Sequence, residues 1–154
     1  MTWANILTII LQKCAIEHII CMKIQREYLS RNHSKFLLKY HIILVCKYRR
    51  KALVGDVGFA MKHILLDIAQ ESDFDIEVME TDKDHVHLLV SAPPKLSPLQ
   101  IICRLKQDSS HRIWQRHADT LRRIYWGGRE IFWTKGYFVS SIGNVSQETI
   151  KHYI

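Results

Sequence analysis

The sequence has few of the features that mark linkers, disulfide frameworks or zinc sites. Its 154 residues include three prolines and six glycines, and no internal repeat, low-complexity tract or second domain can be distinguished. The four cysteines are not spaced as CxxC pairs, which argues against both a zinc site and a disulfide framework. We therefore expect one domain with a hydrophobic core, with free thiols in a reducing cytoplasm.

The N-terminal segment lacks the marks of a signal peptide or a membrane span. Residues 1–21 are apolar but have neither a basic start nor a small-residue cleavage site. Lys13, Glu17 and His18 interrupt the apolar run, so it is too polar to cross a bilayer. We predict that residues 1–21 lie outside a single domain of residues 22–154; the alternative is an extra helix that packs on the domain.

Acidic residues are in deficit, which favours a polyanionic partner. Lys and Arg number 22 against 15 Asp and Glu, for a formal net charge of +7, and nucleic acid is the first candidate for such a chain. Two groups of basic residues suit a phosphate backbone, although each also fits an ordinary solvated surface. These candidate DNA-binding residues are Lys47, Arg49, Arg50 and Lys51 after the first predicted strand, and Arg104, Lys106 and Arg112 on the second predicted helix.

The hydrophobic pattern predicts an α+β fold. Strands are expected over 35–48, 74–81, 85–92 and 130–141, with helices over 56–72 and 98–117 and a short last helix capped by Ser146. Ser97 and Pro98 form a helix start. This order is that of a ferredoxin-like βαββαβ sheet with helices on one face. In the second helix the inward residues are predicted to be Leu99, Ile102, Leu105, Ile113 and Trp114.

Two histidines lie one residue apart in the third predicted strand. Because side chains alternate along a strand, His85 and His87 share a face, whereas Val86 points to the other. Two imidazoles about 6–7 Å apart can turn toward one cation and leave coordination positions open for a substrate. The alternative is a pair of surface histidines, since HxH alone is a weak motif.

The pattern alone does not identify a nucleophile. Serine, cysteine and tyrosine could each serve in phosphoryl transfer. Five of the six tyrosines fall in or beside predicted strands and loops, where a structural role is the default: Tyr28, Tyr40, Tyr48, Tyr125 and Tyr137. Tyr153 lies on the last short helix, where position alone is equally consistent with a frayed C-terminal aromatic residue.

Four stretches together resemble a known family. They are "SKFLLKYHIILVCKYRRKAL", "DHVHLLVSAPPKLSPLQIICRLKQDSS", "FWTKGYFVSSIGNVS" and "ETIKHYI". They resemble the single-tyrosine HUH transposases (TnpA) of the IS-two-hundred/six-oh-five insertion-sequence group, from about Met22 to the end of the sequence. The resemblance implies a ferredoxin-like fold, a homodimer and a DNA partner.

The resemblance also implies roles for individual residues. His85 and His87 match the family's ligands for Mg²⁺ or Mn²⁺, and Tyr153 matches the nucleophile that attacks single-stranded DNA and becomes joined to its 5′ end. In the family's active dimer, the tyrosine helix of one subunit can complete the metal site of the other. The family's third ligand is a glutamine four residues after the tyrosine, and the printed sequence stops at Ile154.

Three other functions stay open at this stage. The first is a truncated, cleavage-deficient relative that only binds DNA hairpins. The second is a repeat-associated single-tyrosine HUH protein. The third is an RNA-binding domain, because "KGYFV" at 135–139 looks like an RNA-recognition motif, although it lacks the small residue between its aromatics and falls on the fourth predicted strand.

Overall fold

The computed structural model describes residues 29–31, 34–36, 38–125 and 130–142. The strands are β1 (Leu29–Arg31), β2 (Ser34–Phe36), β3 (Lys39–Val45), β4 (Asp75–Thr81), β5 (His85–Ser91) and β6 (Phe138–Ile142). The helices are α1 (Gly55–Gln70) and α2 (Pro98–Ile124), and a 3-10 turn spans Lys47–Arg49. The N-terminal segment 1–21 and the last helix, with Ser146 and Tyr153, lie outside the described residues.

Four strands form an antiparallel sheet in the order β4-β5-β3-β6, and β1 and β2 form a separate hairpin. Both helices pack on one face of the sheet, because Ile42 of β3 and Leu88 of β5 share a buried core with Ile64 of α1 and Leu105 of α2. This confirms the predicted ferredoxin-like βαββαβ architecture. The helical face carries the main hydrophobic core, and no helix from the described part of the chain covers the other face of the sheet.

The first predicted strand is shorter than expected. Residues 34–36 belong to β2, and β3 ends at Val45. The backbone N–H of Cys46 donates to the carbonyl of Asp84 at 2.8 Å, and the 3-10 turn follows immediately. Because the chain turns here, the residues after Val45 are carried to the β4–β5 turn.

The last predicted strand is also shorter, since β6 begins at Phe138. Before it, Trp133 makes one isolated bridge to Cys46. The Lys106 ammonium donates to the carbonyls of Lys135 and Gly136, at 3.0 and 3.3 Å. These two carbonyls are therefore bonded to a side chain of α2.

Helix α2 begins where the sequence predicts. The Ser97 hydroxyl accepts from the Gln100 backbone N–H, and the Gln100 side chain accepts from the Ser97 N–H, which completes a capping box. The inward assignment of Leu99 is wrong, because its side chain is 53% exposed. At 3.6 residues per turn, Leu99 lies about 120° around the helix from the buried Leu105.

The segment before β6 is fixed to α2 through a buried polar contact. The indole Nε1 of Trp133 donates to Ser109 Oγ at 2.8 Å, and both side chains are buried. Phe132 is fully buried beside them, so both aromatic side chains belong to the core. Across the described ranges, no helix is both long and apolar enough to cross a membrane.

Candidate metal centre

The histidine pair lies on the face of the sheet that is opposite the helices. The His85 and His87 ring centroids are 5.0 Å apart, and both residues are half-buried. Between them, Val86 points into the core and is fully buried. The predicted shared face is therefore confirmed.

An aspartate and an arginine hold His85 in place. His85 Nδ1 lies 2.6 Å from Asp84 Oδ1, and Arg49 Nε donates to Asp84 Oδ2 at 2.9 Å. Burial by itself would raise the pKa of Asp84, but the hydrogen bonds and charges of Arg49 and His85 outweigh it and hold that pKa below its ordinary value. Asp84 is therefore an ionised acceptor, so His85 donates from Nδ1 and directs the lone pair of Nε2 elsewhere.

A third histidine supports His87. His41 Nε2 and His87 Nδ1 share a hydrogen bond at 3.1 Å, and the two rings are nearly parallel, with centroids 5.3 Å apart. His41 comes from β3, where it also meets the edge of Phe138 on β6. Nδ1 of His87 is therefore directed toward His41.

The residues present fit a divalent ion. Asp82, Asp84 and His85 bring ligand atoms within 4.8 Å of one another, and this triad does not include His87. Both Asp84 oxygens already accept from N–H donors, which suits a carboxylate that orients a histidine ligand rather than one that binds the ion itself. Asp82 adds an oxygen of the kind that Mg²⁺ and Mn²⁺ prefer.

The β4–β5 turn explains how the site forms locally. The Lys83 N–H donates to Asp82 Oδ1 at 2.7 Å, and the Asp82 N–H donates to the His85 carbonyl at 2.9 Å. An aspartate that bonds to the following backbone is typical of a tight turn. This turn delivers Asp84 beside the first histidine of β5.

The first basic cluster is next to the site. Arg49 pairs with Asp84, and the Lys47 ammonium lies 5.2 Å from the centroid of the Tyr48 ring. Arg50 and Lys51 follow and are exposed. Tyr48 and Arg49 have φ angles of 57° and 51°, a left-handed conformation that costs roughly 1–2 kcal/mol for each non-glycine residue.

The second basic cluster is engaged within the helical layer. Arg112 makes two hydrogen bonds to the Glu71 carboxylate, and Arg104 donates to the Glu71 carbonyl at 3.2 Å. Lys106 bonds carbonyls before β6, and burial lowers its pKa. The structure thus places these three residues on α2, across the sheet from the histidines, and their contact with DNA stays a prediction.

Tyr125 and Cys46 lie in the core. Tyr125 donates its hydroxyl to the Phe132 carbonyl at 3.1 Å, and burial raises its pKa far above the ordinary value for tyrosine. Burial likewise raises the pKa of Cys46 to about 12. Neither side chain is poised to act as a nucleophile.

The two described cysteines are expected to differ in reactivity. In the native protein at pH 8, iodoacetamide should label the exposed Cys103 while Cys46 stays unmodified, because a pKa of about 12 lowers the thiolate fraction about a thousandfold and the thiol is buried. Peptide mass spectrometry after timed quenching gives both rates in one sample. Equal labelling of the two would contradict the burial of Cys46, and labelling in urea supplies the unfolded reference.

The sequence pattern missed His41 and the supporting role of Asp84. Asp84 was visible only as one residue of a polar turn. His41 is separated from His87 by 46 positions, and only the pairing of β3 with β5 brings them together. A histidine on a strand otherwise rich in Ile, Leu and Val was the one available signal.

Comparisons with known proteins identify the family of this chain. The family model described as "Transposase IS200 like" matches residues 34–154. The ISDra2 transposase TnpA of Deinococcus radiodurans is 34% identical over 119 residues, which cover 77% of this chain and 83% of the relative. The transposase for insertion sequence element IS200 of Salmonella typhimurium is 33% identical over 128 residues, covering 81% of this chain and 82% of the relative.

Solved structures show the same architecture. A crystal structure of a Deinococcus radiodurans protein assigned as a transposase has a TM-score of 0.68 at 29% identity and covers 81% of this chain and 94% of that one. A REP-associated tyrosine transposase bound to a REP hairpin has a TM-score of 0.52 at 14% identity, covering 85% of this chain and 67% of that one, which shows the fold alone. The chain belongs to the IS200-like transposase family and is a DNA transposase.

Proposed function

We propose that this transposase cleaves and rejoins single-stranded DNA at the ends of an insertion sequence, with Tyr153 as nucleophile and a divalent ion held by His85 and His87. The observation that carries the proposal is the arrangement of the two imidazoles, whose Nδ1 atoms are held by Asp84 and His41 at 2.6 and 3.1 Å. Tyr153 lies outside the described residues but within the range matched by the family.

The ion, Mg²⁺ or Mn²⁺, would supply charge neutralisation at the scissile phosphate when bound. His85 and His87 would hold it, and Asp82 would offer an oxygen. Arg49, through Asp84, keeps the His85 ring in one orientation. Fixed ligand orientation matters because a displacement of about 1 Å can lower a rate about a hundredfold.

The chemical step begins when Tyr153 loses its phenolic proton to solvent, and the leaving 3′ oxygen takes up a proton from solvent. The phenolate oxygen attacks phosphorus, a phosphorus–oxygen bond forms, and the bond to the 3′ oxygen of the preceding nucleotide breaks. The DNA downstream of the cut remains joined to the protein as a 5′-phosphotyrosine, and the upstream strand leaves with a 3′ hydroxyl. Attack by a 3′ hydroxyl reverses the step and joins the strands without ATP.

Recognition of element ends involves hairpins and a second subunit in this proposal. The positive residues around the Lys47–Arg49 turn suit the phosphates of a strand that enters the histidine face. The REP-associated relative was solved on a REP hairpin, which supports a hairpin partner for this chain. A homodimer and a cytoplasmic location stay predictions.

A labelled-strand assay tests the proposal. Single-stranded DNA spanning the element ends, labelled at either its 5′ or its 3′ end, is incubated with the 154-residue chain and Mn²⁺ or Mg²⁺, then run on a denaturing gel. We expect the 3′ label to migrate with the protein and the 5′ label to appear in a shorter free strand. The adduct should require the metal and should map to Tyr153 by mass spectrometry.

Other outcomes separate the alternatives. A chain continued past Ile154, with a glutamine four residues after Tyr153, runs alongside. An adduct from that version only would mean that the printed chain does not cleave DNA by itself. An adduct that carries the 5′ label, or that forms in a chelator, would contradict the proposed chemistry.

The support of His85 by Asp84 gives a separate prediction. Asp84→Asn should weaken Mn²⁺ binding about 10- to 100-fold, because loss of a carboxylate partner typically costs that much in metal affinity. Isothermal titration calorimetry measures the change. Asp119→Asn is the control, since Asp119 pairs with Arg122 on the exposed side of α2. Unchanged Mn²⁺ affinity in Asp84→Asn would show that Asp84 does not support metal binding.

A further inference from the structure

Tyr48 is exposed in a way that the metal centre does not explain. Its side chain is 75% exposed, the highest value for a large hydrophobic residue in the described ranges. It is held at φ 57°, and Arg49 beside it at φ 51°. Neither is a glycine, asparagine or aspartate, the residues that adopt this conformation most readily. Strained backbone of this kind persists where the surroundings fix it, and it concentrates at functional sites.

The turn that carries Tyr48 is held to the β4–β5 turn and to the segment before β6. Besides the bond from Cys46 to Asp84, the Leu53 N–H donates to the Lys83 carbonyl at 2.9 Å, and the Lys47 N–H donates to the Phe132 carbonyl at 2.8 Å. The Arg49–Asp84 ion pair adds a side-chain link. The ring is therefore presented to solvent from a fixed position, one residue from the arginine that supports the metal centre.

We propose that Tyr48 is a base-stacking residue, and that its ring binds an unpaired base of single-stranded DNA beside the histidine pair. This inference rests on the proposed function and names how the strand is held there. The Lys47 ammonium lies 5.2 Å from the ring centroid, so the base stacks on the other face while Lys47 neutralises a neighbouring phosphate. Stacking on an aromatic ring tolerates any sequence but requires a base that is not already paired and stacked in a duplex.

Direct binding, measured without cleavage, tests the inference. The probe is a fluorescein-labelled 20-nucleotide oligothymidylate in a chelator, with fluorescence anisotropy as the readout. Tyr48→Ala should weaken binding about tenfold, and Tyr48→Trp should restore it, because base–aromatic stacking contributes on that scale. A second probe of the same length, with abasic residues in place of the thymidines, keeps the phosphates and removes the bases. On it the unchanged chain and Tyr48→Ala should bind equally.

Tyr137 supplies the matched control. Its side chain is 38% exposed, and the Lys106 ammonium lies 6.0 Å from the centroid of its ring. Unlike Tyr48, it lies near the helical layer and has no positive φ. Tyr137→Ala should leave binding to both probes within twofold.

Tyr48→Gly should bind as weakly as Tyr48→Ala while its thermal midpoint rises about 2–4 °C, because glycine accepts the left-handed turn.

Two results would overturn the inference. If Tyr48→Ala bound the thymidine probe within twofold of the affinity of the unchanged chain, the result would show that no base stacks on Tyr48. An equal loss on both probes would assign the effect to charge or local structure. In either case a Tyr153 adduct that needs metal would leave the proposed function standing. If the unchanged chain neither bound single strands nor formed an adduct, both the inference about Tyr48 and the proposed function would be wrong.

Discussion

Tyr153→Phe is expected to abolish the DNA–protein adduct and strand cleavage. The change removes one oxygen, the atom that would form the new bond to phosphorus, and leaves the aromatic ring. Loss of a catalytic nucleophile lowers rates by about a thousandfold or more, so the adduct should fall below detection at single-turnover enzyme concentrations. A quenched time course with 3′-labelled single strands on a denaturing gel measures it.

The control for this variant is Tyr137→Phe, which removes the hydroxyl of an exposed tyrosine outside the histidine face. It should form adduct at the rate of the unchanged chain. Tyr153→Phe should still bind single-stranded DNA within about twofold, because the change removes a single oxygen and keeps the size and shape of the ring. An adduct that persists in Tyr153→Phe would mean that another residue attacks the phosphate, and peptide mapping would then identify it.

Removing either imidazole of the pair should have a comparable effect through the metal. His85→Ala and His87→Ala each take away one of the two proposed nitrogen ligands, and the transition-state stabilisation supplied by a divalent ion is worth several kcal/mol. The adduct rate at fixed Mn²⁺ should therefore fall about a thousandfold. Electron paramagnetic resonance of free Mn²⁺ reports ion binding directly, without DNA.

His63→Ala is the matched histidine control. His63 is exposed on α1, where it packs against Phe59 with centroids 4.4 Å apart, on the helical side of the sheet. Its loss should change neither Mn²⁺ binding nor the adduct rate. If His87→Ala bound Mn²⁺ as tightly as the unchanged chain, the ion would lie instead near Asp82 and His85, and the metal assignment of His87 would be wrong.

Features that depend only on neighbouring residues in the chain were predictable from the sequence. Alternation along one strand places His85 and His87 together and Val86 in the core, and this depends on no distant residue. The cap at Ser97 and the turn at Asp82 are likewise short-range hydrogen-bonding patterns. The order of elements was sufficient for the ferredoxin-like arrangement, because few topologies connect such a series.

Element ends and side-chain partners were less predictable because they depend on contacts between distant segments. Val45 ends β3 since the next N–H bonds to the β4–β5 turn. The sequence predicted that Lys106 binds phosphate, yet its ammonium donates hydrogen bonds to two backbone carbonyls before β6. Charge alone cannot distinguish a surface cation from one with a structural partner.

The sequence by itself determined the class of fold, the shared face of the histidine pair and, through its motifs, the resemblance to a transposase family. The tertiary structure decided which groups support that pair. His41 reaches His87 only through the register of β3 on β5, and Arg49 reaches Asp84 only because a strained turn folds back on the β4–β5 turn. The physical reason is that periodicity sets the direction of a side chain, whereas its neighbours are set by the pairing and packing of segments far apart in the chain.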